Sequence, residues 1–300
     1  MNNATNVPIS AARLSARALG RRQMATMLRT SLYCVAAIVL LLLADPSSAN
    51  DEVDVELVIA VDVSRSMTDR ELQIQRRGYA EALRSEAVAR AVKSGLTGKI
   101  ALTYVEWGGR AYQRTIVDWR IIENEHDLAA FAAEITSNFD GAMRRTSISG
   151  AINYATNRIE TNGISALRKV IDVSGDGPNN SGPPAPGARD RALSLGITIN
   201  GLPLMTREGL GSQFHLDDLD DYYRYCVIGG PGSFVIPVTS WDEFPEAVRR
   251  KLVLELAGKA PPPVLKAAFS GATEAGYDCL IGEKIWQMFI DQNRIFELNP

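Results

Sequence analysis

Val58-Ile59-Ala60-Val61-Asp62-Val63-Ser64-Arg65-Ser66 decides the reading of this chain. It is the end of a longer apolar run, Val55 to Val61, whose β-branched residues and short length predict a strand buried on both faces. The run exits into Asp-x-Ser-x-Ser. Three oxygen side chains at alternate positions can converge on one point, and few carboxylates among oxygen donors suit a hard cation such as Mg²⁺, which keeps several of its own waters. Two later segments can complete the same site: Thr146 in Arg145-Thr146-Ser147, and Asp176 in Ser174-Gly175-Asp176-Gly177.

Outward from that stretch, apolar and helical patterns alternate. Thr68 to Val92 predicts a helix with Thr68 and Asp69 available as caps. Lys99 to Trp107 predicts a second strand, turned at Gly108-Gly109 into an antiparallel partner, Ala111 to Val117. Helices are expected over Asp127–Phe139 and Ser147–Ile159, and a strand over Lys169–Ser174. A Pro/Gly/Asn-rich loop spans Pro178 to Gly187. Then come a helix Ala188–Leu195, strands Ile197–Leu202 and Phe234–Val238, and a helix Trp241–Ala257. This order implies an α/β fold: a doubly wound, mostly parallel sheet covered by helices, with one antiparallel edge strand. In such sheets ligands sit at the carboxyl ends of strands, where the strand order reverses. Asp62 and Asp176 follow strands and Thr146 precedes a helix, so the three share one rim.

The chain has 300 residues, 46% hydrophobic and 22% charged, as expected of a packed globular protein. Residues 1–49 stand apart. They hold five arginines against one acid, an apolar run from Leu32 to Ala44, and a small-residue exit at Ser47-Ser48-Ala49. That is the pattern of a secretory signal peptide. The run of about 13 residues is short against the roughly 20 a spanning helix needs. The alternative is an uncleaved membrane anchor. Without the leader the net charge moves from −3 to −7, a poor balance for binding nucleic acid. The product is expected to be exported, periplasmic or extracellular. Cys226 and Cys279 remain after the leader, as a disulfide or as two thiols; a bridge would persist in that compartment. The expected domain is 50–258. Residues 259–300 form a Pro-rich linker, Pro261-Pro262-Pro263, and a tail whose Cys279–Phe296 stretch predicts an amphipathic helix. That helix packs back on the domain or docks on a partner or membrane.

Taken together, Asp62-x-Ser64-x-Ser66, Thr146 and Asp176, in this order and at these strand and helix ends, resemble the von Willebrand factor type A domain. More narrowly, the chain resembles exported bacterial proteins of that fold without an assigned function. The resemblance covers roughly Asp54 to Gly258. It implies a metal-ion-dependent adhesion site: Ser64, Ser66 and Thr146 bind Mg²⁺ (or Mn²⁺ or Ca²⁺) through hydroxyls, and Asp62 and Asp176 hold its waters. One position is left for an acidic side chain of a protein partner. Neutral hydroxyls leave the ion electrophilic, so an incoming carboxylate is attracted strongly.

Arg144-Arg145 depart from the family pattern, which has small residues before the threonine. They either face the site or form a solvated surface, the latter being the plainer expectation. Glu106, Trp107, Asn179 and Asn180 are further candidates for the partner-binding rim. Asp172, inside a buried strand, is expected to be a paired structural acid. His126 and His215 lack zinc-site spacing. Two other functions are consistent with the motif: an assembly protein with a vestigial metal site, and a Mg²⁺-dependent phosphoryl hydrolase with Asp62 as nucleophile. The hydrolase would need a second acid where Ser64 stands.

Overall fold

A computed structural model describes residues 52–137, 143–206, 215–258 and 276–298. The expected leader, Cys34 and the Pro-rich linker lie outside these residues. Five strands form one sheet: β1 (Val55–Asp62), β2 (Ile100–Trp107), β3 (Gln113–Ile122), β4 (Lys169–Gly175) and β5 (Ile197–Pro203). Their order is β3-β2-β1-β4-β5, with every pair parallel except the antiparallel β2–β3 edge.

The helices are α1 (Asp69–Leu83), α2 (Glu86–Lys93), α3 (Glu125–Ser137), α4 (Ile148–Glu160), α5 (Ala185–Ser194), the single turn α6 (Leu219–Tyr222), α7 (Phe244–Ala257) and α8 (Ile281–Leu298). A π-helical turn, Tyr223–Val227, extends α6.

All eight residues of β1 are buried. Its period-2 alternation sends Val55, Leu57, Ile59 and Val61 into one core with residues of α1, α2, α3 and α7, and Val58 and Ala60 into a second core with residues of α4 and α5. This two-faced burial explains the unbroken apolar run in the sequence.

Three expectations need correction. The helix predicted over Thr68–Val92 is two helices. Ser85 interrupts it, its hydroxyl donating to the Ala82 carbonyl at 2.6 Å and accepting from the Val88 N–H at 3.4 Å, which makes it the N-cap of α2. The Phe234–Val238 strand does not form; Pro237 lacks an N–H, and the segment makes only isolated bridges, Gly201 to Val235 and Leu204 to Val238. Helix α5 starts at Ala185, inside the stretch read as loop.

Asp172 is 1% exposed and lies 2.5 Å from Lys251 Nζ on α7. Lys251 also meets Glu255 Oε1 at 2.5 Å, and Asn200 Nδ2 donates to the same oxygen at 2.9 Å. The last domain helix is thereby tied to β4 and β5 through a buried charge cluster.

Among the described residues, no helix is long and apolar enough to cross a membrane.

Candidate metal and ligand site

The site lies at the carboxyl ends of β1 and β4, between which the strand order reverses. Asp62 is the last residue of β1 and is fully buried. Its carbonyl accepts from Gln75 Nε2 of α1 at 3.1 Å, and its Oδ1 accepts from the Ser64 N–H at 2.7 Å, folding the exit loop back over the carboxylate. Ser64 and Ser66 place their hydroxyls 2.8 Å apart, and Ser66 Oγ donates to Asp176 Oδ1 at 2.8 Å. The Asp-x-Ser-x-Ser loop and the β4 exit thus form one hydrogen-bonded chain, across 110 positions of sequence.

Thr146 arrives on a third segment. The Met143 N–H donates to the Val63 carbonyl at 2.7 Å, the Gly109 N–H to the Arg144 carbonyl at 2.9 Å, and the Ser147 N–H to the Gly108 carbonyl at 2.8 Å. These bonds stitch residues 143–147 between the β1 exit and the β2–β3 turn. Asn180 completes the clamp: its Oδ1 accepts from the Thr146 N–H at 3.0 Å and its own N–H donates to the Thr146 carbonyl at 2.9 Å.

The electrostatics are unbalanced. Burial raises the Asp62 carboxyl well above its ordinary range, and the neighbouring Asp176 carboxylate raises it further, against the Ser64 hydrogen bonds. Burial also raises Asp176, opposed by the Ser66 hydroxyl and by His215. Asp62 Oδ2 is buried with no hydrogen-bond partner among the described residues. Gly175 is part of this arrangement: a Cβ there would come within 2.9 Å of Asp62 Oδ2 and 3.0 Å of Tyr223 Oη.

Two adjacent carboxylates, an unpartnered oxygen and two linked hydroxyls fit a hard divalent cation, which would supply the missing counter-charge. Among the described residues no group of three or more His, Cys, Asp and Glu can hold a metal. The fit here rests on hydroxyl donors instead.

A cleft of about 510 Å³ opens beside these residues, lined by Ser64, Ser66, Thr146 and Asp176. Arg144 and Arg145 line it too. Arg144 is exposed, whereas Arg145 is half-buried with its guanidinium over the indole, 3.7 Å from the Trp286 ring centroid, so the solvated-surface reading is corrected for Arg145. The other rim candidates divide. Asn180 lines the cleft. Asn179 is fully buried and is a structural pin, its Oδ1 accepting from the Ser149 N–H at 3.1 Å and its Nδ2 donating to Glu283 Oε1 at 2.7 Å. Glu106 and Trp107 are fully buried and outside the cleft lining. Glu106 receives Arg76 Nε at 2.6 Å and Arg114 Nη2 at 2.6 Å, a paired core charge rather than a rim acid.

His215, set aside above as a zinc ligand, and Trp286 are lining residues that the sequence reading did not place at the site. Trp286 is carried by α8, which the Cys226–Cys279 disulfide fastens to the π-helical turn, with Cα atoms 5.5 Å apart. Tyr277 stacks on Tyr225 next to the bridge, with ring centroids 5.6 Å apart. Gly282 lets α8 approach closely, since a Cβ there would sit 2.1 Å from the Asn179 carbonyl oxygen.

Sheet order and site placement define a von Willebrand factor type A-like α/β protein. Over residues 52–260 the chain belongs to the family described as Protein of unknown function (DUF1194). No curated protein matches it. Its structure is similar to several solved ones. Proximal thread matrix protein 1 from the mussel byssus, with a zinc-occupied MIDAS motif, is 15% identical with a TM-score of 0.48, covering 69% of this chain and 48% of that one. The pilus adhesin SpaC from Lactobacillus rhamnosus GG is 12% identical, TM-score 0.49, covering 68% and 30%. The conserved hypothetical protein BatB from Bacteroides thetaiotaomicron is 20% identical, TM-score 0.42, covering 68% and 100%. The chain thus spans about half the length of the mussel protein and less of the adhesin.

Proposed function

We propose that this chain is an exported, metal-dependent protein-binding module that captures a carboxylate of its partner. The observation that carries this reading is the linked set Asp62, Ser64, Ser66 and Asp176: Ser64, Ser66 and Asp176 line an open cleft, and Asp62 lies buried behind them with an unpartnered carboxylate oxygen. Ser64, Ser66 and Thr146 would hold the cation through hydroxyls, with Asp62 and Asp176 holding its waters. The ion, Mg²⁺ by preference, would supply an electrophilic position for the incoming carboxylate. The disulfide supports an oxidising compartment outside the cytoplasm. Ser64, standing two residues after Asp62, supplies no second acid for a phosphoryl hydrolase, which favours binding over turnover.

The test is calorimetric titration of Mg²⁺ and Mn²⁺ into the purified chain and its Asp62→Ala variant, followed by a partner pull-down in Mg²⁺ and in EDTA. Saturable binding, lost in the variant, is expected, with capture lost in EDTA. Capture that survives both EDTA and Asp62→Ala would return the protein to the assembly reading.

A further inference from the structure

The cleft carries more positive charge than one carboxylate calls for. Arg65, Arg144 and Arg145 all line it. Among the described residues none of the three meets a carboxylate within ion-pair distance. A divalent cation would balance Asp62 and Asp176, leaving the three guanidiniums without a carboxylate partner among the described residues.

Arg145 is held in a way that needs a reason. Its φ is 72°, the left-handed region, and it alone among the described non-glycine residues has a positive φ. A long side chain there is strained, and such strain persists where the surroundings enforce it, often at ligand sites. Backbone bonds from Gly109 to the Arg144 carbonyl and from Ser147 to the Gly108 carbonyl hold the loop, and the Trp286 stack holds the guanidinium. A guanidinium already fixed in a plane loses less freedom on taking a carboxylate in its fork of donors. Trp286 lies outside the residues matched by the family, so this wall is an addition to the domain that bears the metal site.

We propose that Arg144 and Arg145, the latter braced by Trp286 of α8, form a second anion subsite beside the metal position. The ligand is then a peptide segment bearing at least two carboxylates, one for the cation and one for the arginines. This inference rests on the metal-bridge reading above. A peptide fits better than the other polyanions. The cleft is concave, which a flat anionic membrane cannot enter. Arg145 occupies one face of the Trp286 indole, the platform on which a sugar ring would stack.

The test is calorimetry on the full chain with two capped peptides, acetyl-Glu-Glu-Glu-Glu-Glu-amide and acetyl-Gly-Gly-Glu-Gly-Gly-amide, in Mg²⁺ and in EDTA. The all-glutamate peptide is expected to bind about 30-fold more tightly in Mg²⁺, well beyond the statistical factor of five. In Arg144→Ala/Arg145→Gly the ratio is expected to fall to about five. Glycine is at ease at φ 72°, so the variant keeps its loop, and urea unfolding should show no loss of stability.

A wild-type ratio of five or less would overturn the second subsite, as would an unchanged ratio in the variant. Mg²⁺-dependent binding of the single-glutamate peptide would in either case uphold the metal bridge. A high ratio that survives EDTA and disappears in the variant would uphold the arginine subsite and reject the bridge. Failure of both peptides, or tighter binding of a heparin-derived oligosaccharide, would overturn the proposal.

Discussion

At the scale of single residues, the candidate site's pattern was open to reading because its parts are local. Asp62, Ser64 and Ser66 alternate along a strand exit, and spacing alone puts their oxygens together. Asp176 needed only the rule that strand ends share a rim, and Thr146 its place just before a helix together with the family resemblance. His215 and Trp286 gave no such signal, since neither stands in a pattern; they reach the cleft through tertiary packing. Gly175 is similar: its role is the space it leaves beside Asp62 Oδ2. Replacing it with alanine puts a methyl carbon at 2.9 Å from that oxygen, so the carboxylate or strand β4 must shift. Gly175→Ala is expected to cost about 1–3 kcal/mol by urea denaturation, as overpacking does. It should also weaken Mg²⁺ binding at least tenfold in the titration described above. Unchanged affinity would mean that the Asp62 side chain does not set the metal position.

Among the elements, the strands were the easier part, because burial on both faces leaves an unbroken apolar run in β1. Helix ends were harder. The stop between α1 and α2 is made by one serine that exchanges helical hydrogen bonds for its own, and the apolar periodicity passes over it. Helix α8 was legible as amphipathic, but its place was not, because a disulfide between positions 53 apart in sequence decides it. Its seating is tested by Gly282→Ala, whose added Cβ meets the Asn179 carbonyl oxygen at 2.1 Å. Backbone cannot yield as a flexible side chain does, so α8 is expected to lift. Hydrogen exchange should quicken by at least tenfold over 281–292 while β1 and β4 keep their protection. Equal protection in α8 would show that the helix is held by the disulfide and its aromatic neighbours without the close approach at Gly282.

For the whole molecule, the mostly parallel sheet and its two helical layers followed from the alternation of strands and helices, but the strand order and the charges inside the fold did not. Sequence marked Asp172 as an acid needing a partner. It did not reveal that Lys251 and Glu255, one helical turn apart on α7, would be buried with it. That cluster holds two carboxylates against one ammonium. Burial raises the Glu255 carboxyl from 4.5 to about 7, with Lys251 opposing the shift and Asp172 adding to it. Between those values the folded chain keeps a proton that the unfolded chain has released. Stability is therefore expected to fall as pH rises through this window and to level off above about 7. The span corresponds to roughly 3 kcal/mol at most. Other buried acids titrate as well, so the contribution is isolated by difference. Urea unfolding of the wild type and of Glu255→Gln at pH 5 and pH 8 should show the variant gaining on the wild type as pH rises, because glutamine keeps an acceptor for Lys251 and Asn200 without the second negative charge. Parallel stability curves for the two proteins would place the Glu255 proton elsewhere, and the tie between α7 and the sheet would then be insensitive to pH in this range.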